Sequence, residues 1–416
     1  MKSFLIIIWI IAAMLMLIST RSAAQDKNPV FETDDCIICH IQIEMMPADF
    51  HQNDIHLQEG LSCAGCHGGD PSTDDPELAM DRERGFVGVP SRQETPEFCG
   101  KCHSSIEVMR KFRPRIATDQ VEQYFTSIHG QKLKQGDKKV AECVACHTAH
   151  SIMSANDGRA STHPLNVPGT CKTCHSDPEY MKEYDIPTDQ FENFTVSVHG
   201  TALLDNKDTG SPACNDCHGN HGATPPGLES VSHICGTCHA NNLNYFSSSP
   251  MEKAFREMEI HACEQCHGYH EVIPTSDEMI SVGEKSVCTT CHSEGDVGYT
   301  AAVEIHKDLT DFVQKYNEAE KKLQEIKKKG MDDVDILFAL QEANQTLIHT
   351  RTLVHTFDPL QVEEKAEEGK EKAIEAINLA RQEIEDFYIR RYGFGFATIF
   401  ITIFVVALYF KVRSLD

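Results

Sequence analysis

The sequence predicts a mainly α-helical protein with little regular structure in its first two thirds, followed by a helical bundle or hairpin and one C-terminal transmembrane helix. Three observations predict this class. All cysteines lie between residues 36 and 291, in a short repeated motif. Beyond residue 292 the composition shifts to Glu, Lys, Ala, Gln and Leu, with apolar residues at helical spacing. Residues 393–410 form an uncharged apolar run.

The length, charge and hydropathy of the chain exclude some classes of protein. The chain has 416 residues, a net charge of −25 and a mean hydropathy of −0.35, so it is not a polytopic membrane protein. Its length predicts two or three domains. The acidic balance argues against a nucleic-acid partner. It favours basic or weakly docking protein partners, whose association would slow as salt rises.

All 18 cysteines fall into nine CxxCH motifs, with none left over. CxxCH is the attachment signature of c-type haem. Each of the two thiols can form a thioether to the porphyrin, and the adjacent histidine reaches the iron as an axial ligand. The predicted thioether cysteines are Cys36, Cys39, Cys63, Cys66, Cys99, Cys102, Cys143, Cys146, Cys171, Cys174, Cys214, Cys217, Cys235, Cys238, Cys263, Cys266, Cys288 and Cys291. The predicted proximal ligands are His40, His67, His103, His147, His175, His218, His239, His267 and His292.

Other roles for CxxC pairs fit the arrangement poorly. Zinc sites use CxxC pairs two at a time, and nine is odd. Disulfides or thioredoxin-like redox pairs would not require a histidine after every second cysteine. The sequence therefore predicts nine covalently attached haem c groups, each with one iron.

The N-terminus predicts export. Residues 4–18 form an unbroken apolar run of 15 residues behind Lys2, and the small residues Ser22 and Ala24 follow. This pattern is typical of a signal peptide over residues 1–24. The alternative is an uncleaved N-terminal anchor. Either way the haem-bearing segment is exported.

The second apolar run predicts a transmembrane helix over residues 392–410. At 1.5 Å per residue, 18 residues span about 27 Å, close to the apolar thickness of a bilayer. Basic residues flank both ends, so the positive-inside rule does not orient it. The predicted signal peptide orients the helix instead. The protein is expected at the periplasmic face of the inner membrane, with residues 411–416 in the cytoplasm.

Haem density predicts the organisation of residues 25–298, the expected nonahaem domain. The 257 residues from Cys36 to His292 leave about 29 per haem. So little polypeptide cannot build a conventional core, and the porphyrins must form the apolar interior. Neighbouring stacked haems must then lie close together and form an electron path.

A repeat predicts the sixth iron ligands. Its unit is one separate histidine, twice within S-x-H-G, then CxxCHxxH and then a plain CxxCH. The second histidine of CHxxH cannot reach its own iron, so it is expected to bind a neighbouring haem. The predicted distal ligands are His56, His129, His150, His199, His221, His261 and His270. Two irons remain, and the other candidates are His51, His163, His233, His306, His349 and His355.

Residues 299–391 predict a haem-free segment of three helices. Apolar positions at helical spacing run over residues 309–326, 336–354 and 366–387, and the third helix leads into the apolar run. Breaks are expected at Gly330 and at Asp358-Pro359. The favoured interpretation is a scaffold and a surface for homo-oligomers. The alternative is that His306, His349 or His355 reaches back to a haem.

The repeats at Ser127–His150 and Ser197–His221 resemble those of multihaem c-type cytochromes of the NapC/NirT, cytochrome c554 and octahaem hydroxylamine oxidoreductase superfamily. The resemblance covers roughly residues 36–387. It implies stacked bis-histidine haems that pass electrons in the periplasm, often from the quinol pool. Two features differ: NapC/NirT proteins carry an N-terminal anchor, and no CxxCK replaces a CxxCH here.

These features together predict an electron-carrier subunit with no catalytic residue of its own. It would relay electrons between a quinol-oxidising inner-membrane subunit and periplasmic redox proteins in anaerobic respiration. One alternative is an oxidoreductase that acts on a small nitrogen or sulfur compound at one open-faced haem. Another is a structural or haem-storage protein.

Overall fold

The computed structural model describes residues 34–47, 49–225 and 231–415. The predicted signal peptide lies outside these residues. Regular structure in the described part is helical and contains no β-strand, so the predicted mainly α class is confirmed. The described chain divides into two compact units, residues 34–195 with 199–225, and residues 196–198 with 231–415.

Short helices joined by long connections make up residues 34–225. The helices are α1 (Asp35–Gln42), α2 (Phe50–Asn53), α3 (Ile55–Gln58), α4 (Cys63–His67), α5 (Pro76–Ala79), α6 (Thr95–His103), α7 (Ile106–Phe112), α8 (Gln120–Thr126), α9 (Ile128–Lys134), α10 (Cys143–His147), α11 (Val167–His175), α12 (Pro178–Met181), α13 (Gln190–Val196), α14 (Val198–Gly200) and α15 (Cys214–His218). Arg82–Arg84 is a 3₁₀ turn and Thr201–Asp205 a π turn.

The first unit has little apolar core of its own. One cluster of buried side chains contains Ile37, Phe50 and Leu57, and another contains Tyr124, Leu133 and Val140. At about 1.5–3 kcal/mol per buried side chain, a cluster of three contributes roughly 5–9 kcal/mol, far less than the conformational entropy that so long a segment loses when it folds. The unit therefore needs another source of apolar contact, as the haem density predicts.

The second unit combines short helices with three long ones. The helices are α16 (Val231–Cys238), α17 (Ala240–Ser247), α18 (Pro250–Glu257), α19 (Glu264–His267), α20 (Val297–Lys329), α21 (Val334–Leu353) and α22 (Pro359–Arg413). Three 3₁₀ turns are Asp277–Ile280, Cys288–Thr290 and Val354–Thr356. The predicted haem-domain boundary at residue 298 thus falls inside this unit, at the start of α20.

Helices α20, α21 and α22 pack as a bundle. Helices α20 and α22 run parallel, because the Phe312 ring lies against Gly369 and the Lys329 ammonium lies 3.3 Å from the Tyr388 hydroxyl. Helix α21 runs in the opposite direction. The buried core contains Phe312, Ala319, Leu323, Ile326, Ile336, Ala339, Leu340, Ala343, Leu347, Ala366, Ala373, Ala376, Ile377 and Ala380. This apolar stripe stabilises the bundle without any cofactor.

The helix boundaries follow local chemistry. Gly330 ends α20 with φ +63°, a left-handed conformation that glycine adopts without strain. The Asp358 carboxylate accepts a hydrogen bond of 3.0 Å from the Leu360 N–H, and Pro359 occupies the first position of α22. Both breaks occur where the sequence predicts them.

Helix α22 continues without interruption into the apolar run. The described part contains one helix long and apolar enough to cross a membrane, and its apolar window is fully unburied, which fits a C-terminal membrane anchor. Pro359 precedes Gly393 by 34 residues, which is about 51 Å at 1.5 Å per residue. We call residues 297–392 the stalk. It contains no cysteine and therefore no haem attachment site.

Candidate haem sites

The CxxCH motifs coincide with single helical turns. Six of the nine lie wholly within α1, α4, α6, α10, α11 and α15. Residues three and four apart share one face of a helix, so both thiols and the following imidazole project to the same side. All 18 cysteines lie in the described part and none forms a disulfide. The thiols are therefore available for thioether bonds.

Five histidines outside the motifs each face a motif histidine. The ring centres are 6.0 Å apart for His56–His103, 6.2 Å for His67–His150, 6.2 Å for His129–His175, 6.1 Å for His147–His221 and 6.2 Å for His267–His355. Each pair combines one predicted proximal ligand with one histidine from elsewhere in the chain. Such a consistent combination indicates a shared function.

The spacing fits one iron between two imidazoles. A metal–imidazole bond is about 2 Å long and a ring nitrogen lies roughly 1.1 Å from the ring centre, so two axial ligands have centres about 6 Å apart. The angles between ring planes vary from 11° for His147–His221 to 89° for His56–His103. That variation is compatible with axial ligation, because each ring can rotate about its own bond to the metal. These residues could therefore hold a bis-histidine haem.

The pairs in the first unit follow the sequence repeat. The separate histidine of a repeat faces the plain CxxCH of the same repeat, as His129 faces His175. The second histidine of CHxxH faces the first CxxCH motif of the preceding repeat, as His221 faces His147 and His150 faces His67. The sequence predicts that this histidine binds a neighbouring haem. The structure identifies the motif at which that haem would be attached.

The fifth pair brings in a histidine from the stalk. His355 lies in the 3₁₀ turn between α21 and α22, and its ring faces His267. Its Nδ1 lies 2.9 Å from the Thr352 carbonyl oxygen, which can accept a hydrogen bond from an Nδ1 proton, and its Nε2 lies 3.4 Å from the side-chain amide nitrogen of Asn242. From the sequence, a scaffold is the favoured interpretation of this segment, and a ligand role for His355 is only the alternative. No sequence motif surrounds His355, so only the fold identifies it as a candidate ligand.

Burial favours the neutral form of eight of the ten paired imidazoles. It is the main cause that lowers the pKa of His103, His129, His147, His150, His175, His221, His267 and His355. A neutral imidazole has the lone pair that a metal requires. His67 is also oriented, because its Nδ1 lies 2.9 Å from the Gly88 carbonyl oxygen. The lowered pKa of these eight side chains favours the protonation state that binds a metal.

The structure explains why serine and glycine flank the histidine in the S-x-H-G segment. Ser127 is buried and caps α9: its hydroxyl donates to the Tyr124 carbonyl and accepts from the Gly130 N–H at 2.9 Å. A Cβ at Gly130 would collide with the Tyr124 carbonyl oxygen, so only glycine allows this close approach. In the second copy a Cβ at Gly200 would collide with the Phe194 carbonyl oxygen. The serine and glycine therefore position the histidine between them.

Substitution of Gly130 is expected to displace His129. In Gly130→Ala the new methyl group forces α8 and α9 apart, and the haem attached at Cys171 and Cys174 loses its sixth ligand. The measurement is the high-spin ferric signal in electron paramagnetic resonance, which should rise by about one haem. Gly158→Ala is the matched control, because nothing lies within 4 Å of a Cβ there. Equal spectra for the two variants would contradict this account.

Thiols of successive motifs lie close together. In each of three pairs one thiol lies near enough to shift the pKa of the other: Cys99 and Cys143, Cys171 and Cys214, and Cys235 and Cys263. Contacts of this kind place three pairs of consecutive motifs side by side. Haems attached there would be near neighbours, as the haem density predicts.

The remaining predicted ligands occupy several environments. The His261 ring contacts the Glu264 carboxylate, and the His292 Nδ1 lies 3.2 Å from an Asp296 oxygen. His218 Nδ1 lies 3.3 Å from the Thr224 carbonyl oxygen. His40 belongs to α1, His199 to α14, His239 directly precedes α17 and His270 follows α19. These assignments stay predictions, and the His51 side chain lies outside the described residues.

Comparison with known families agrees with this chemistry. Residues 55–176, which contain four of the CxxCH motifs and three of the histidine pairs' distal members, match the family model of cytochrome c3. The match supports a multihaem c-type cytochrome. The match supports covalently bound haem c and electron transfer for this cytochrome. No curated protein and no solved structure matches the chain.

Proposed function

We propose that this cytochrome is a nonahaem relay anchored at the periplasmic face of the inner membrane. It passes electrons between a quinol-oxidising inner-membrane subunit and periplasmic redox proteins in anaerobic respiration. The observation that carries the proposal is the set of five histidine pairs spaced for six-coordinate iron. An iron with both axial positions filled has no open face for a substrate, which favours electron transfer over catalysis.

Haem c, when bound, supplies one-electron redox chemistry. The chain's own residues would hold each porphyrin through two thiols, and the five histidine pairs would supply both protein ligands to five irons. Ligation by two histidines without methionine favours low potentials, because a methionine ligand raises the potential. Low potentials suit the menaquinol-linked respiration proposed here.

The length and composition of the stalk support the proposal that a partner protein oxidises the quinol. It separates His355 from the apolar run by about 50 Å along α22, and it contains no cysteine that could carry a haem. One transmembrane helix is also too small to form a quinone pocket alone. These two features support entry of electrons from a quinol through another protein.

Reconstitution in lipid nanodiscs that contain menaquinol tests this function. The purified cytochrome alone is expected to remain oxidised, and addition of the quinol-oxidising subunit should reduce its haems. Deletion of that subunit in cells should abolish reduction by quinol while the haem content stays at nine per chain. Reduction of the isolated cytochrome by menaquinol at the full rate would contradict the proposal.

A further inference from the structure

Helix α21 carries a face without charged side chains along the length of the stalk. The residues of this face, which we call the α21 seam, are Val334, Phe338, Gln341, Gln345, Ile348 and Thr352. Val334 is 54%, Phe338 63% and Ile348 57% exposed, and both glutamines are exposed as well. By contrast, Glu and Lys residues recur along the exposed positions of α20 and α22.

The α21 seam has the spacing of a coiled coil. Its members follow one another at intervals of four, three, four, three and four residues, which is the a and d pattern of a heptad repeat. The seam lies opposite the bundle core, because Phe338 follows the buried Ile336 by two residues and Gln345 follows the buried Ala343 by two. Two residues correspond to a rotation of about 200° around a helix. Helix α21 therefore has a second packing face that points away from the bundle.

The charge of the chain favours one kind of occupant for this face. The chain has a net charge of −25, so two copies repel each other at long range. A face without charged side chains is where two copies can approach at the lowest electrostatic cost. The same face offers no charge that would attract an acidic or a basic partner. A second copy of this chain therefore fits the α21 seam better than a charged protein does.

The membrane anchor determines how two copies can meet. Both copies enter the membrane from the same side, so their α21 helices run parallel. A two-fold axis along the membrane normal then places each member of the seam opposite its own counterpart. Phe338 and Ile348 each meet an identical apolar side chain. The amides of Gln341 and Gln345 can both donate to and accept from the same amide of the second copy, so the seam is self-complementary.

The positions beside the seam do not oppose this pairing. Asp335 and Glu342 lie on one side of the seam, and Leu337 and Asn344 lie on the other. In a parallel coiled coil each side of one helix faces the other side of its partner. The carboxylates of the two copies therefore do not meet along the seam.

We propose that the protein forms a parallel homodimer through the α21 seam. From Val334 to Thr352 the seam is about 27 Å long at 1.5 Å per residue, which is short for an independent coiled coil. Anchoring in one membrane compensates for this, because confinement raises the effective concentration of the second copy. The sequence predicts a surface for homo-oligomers within residues 299–391, and the fold assigns it to one face of one helix. The inference concerns the stalk and does not depend on the relay function.

Isosteric introduction of charge tests the seam. The double variant Gln341→Glu and Gln345→Glu places carboxylates opposite each other in the dimer, whereas Gln314→Glu and Gln324→Glu add the same charge at exposed positions of α20. Sedimentation velocity of the full-length, haem-loaded protein in detergent, followed by haem absorbance, measures the dimer. The dissociation constant of the seam variant should rise about tenfold at low ionic strength and less at high salt, where the repulsion is screened. The α20 control should stay within about twofold of the wild type.

Opposite charge at the same positions provides a rescue. Chains with Gln341→Lys and Gln345→Lys should dissociate like the first variant, and mixing the two should restore dimers that contain one chain of each kind. Haem content and circular dichroism should equal those of the wild type in every variant. A monomeric wild type, or an equal loss of dimers in the α20 control, would overturn the proposal. Dimers that persist in both seam variants would overturn it as well and place the contact elsewhere. No quinol is involved, so failure of the relay function would leave this result unchanged.

Discussion

In His355→Ala, one haem of this cytochrome is expected to lose its sixth ligand and become five-coordinate and high-spin. The reason is geometric: His355 is the ring that faces His267, at a spacing that fits one iron between them. Alanine leaves an open axial position in a buried site. We expect a high-spin ferric signal of about one haem per chain in electron paramagnetic resonance. On reduction, carbon monoxide should bind to the same number of haems.

The chain offers a matched control six residues earlier. His349 lies in α21, and its Nε2 is 3.1 Å from the Tyr245 hydroxyl rather than opposite a motif histidine. His349→Ala removes an imidazole from the same part of the stalk and should leave the spectrum low-spin. A high-spin signal of equal size in both variants would indicate general disruption of the stalk. A fully low-spin His355→Ala protein would show that another group binds this iron.

Synthesis without haem attachment is expected to unfold residues 34–292 while the stalk remains folded. The first unit has two apolar clusters of three residues each, whereas the stalk has a continuous core of fourteen. Loss of the porphyrins removes the main apolar contacts of the haem-bearing region but none from within the bundle. Limited proteolysis with mass spectrometry should therefore recover a fragment that contains α20, α21 and the extramembrane part of α22.

Circular dichroism supplies a second measurement of the same result. Helices α20, α21 and α22 have 33, 20 and 55 residues, and their helical signal should survive in the haem-free chain. The short helices α1 to α19 should lose theirs, because isolated helices of fewer than about 12 residues are marginal in water. Protection of residues 34–292 from protease without haem would contradict this expectation. The mature protein, with haem attached, is the control.

The His355→Ala variant and the haem-free chain both test the stalk, but in different ways. His355 lies at the end of the bundle farthest along α22 from the apolar run, so loss of this ligand should affect one haem without unfolding the bundle. Conversely, the bundle should stay folded without any haem, because its core contains no haem-binding residue. The two experiments therefore separate the ligand role of His355 from the structural role of its helix.

The sequence by itself determined the attachment chemistry and the helical stalk. Two thiols and a histidine within five residues need only one helical turn to act together, so CxxCH predicts its own site wherever it occurs. The apolar stripe of the stalk and the breaks at Gly330 and Asp358-Pro359 are equally local, because capping and amphipathic periodicity involve residues a few positions apart. The mainly α class followed from these signals.

Only the tertiary structure decided which histidines face one another. His56 precedes His103 by 47 residues and His267 precedes His355 by 88, and no local rule connects positions so far apart. The repeat predicted that CHxxH histidines serve a neighbour, but the neighbour is selected by how the turns pack. His355 lies in an ordinary helix connection, so its place opposite His267 depends wholly on the packing of α21 and α17 around the motif.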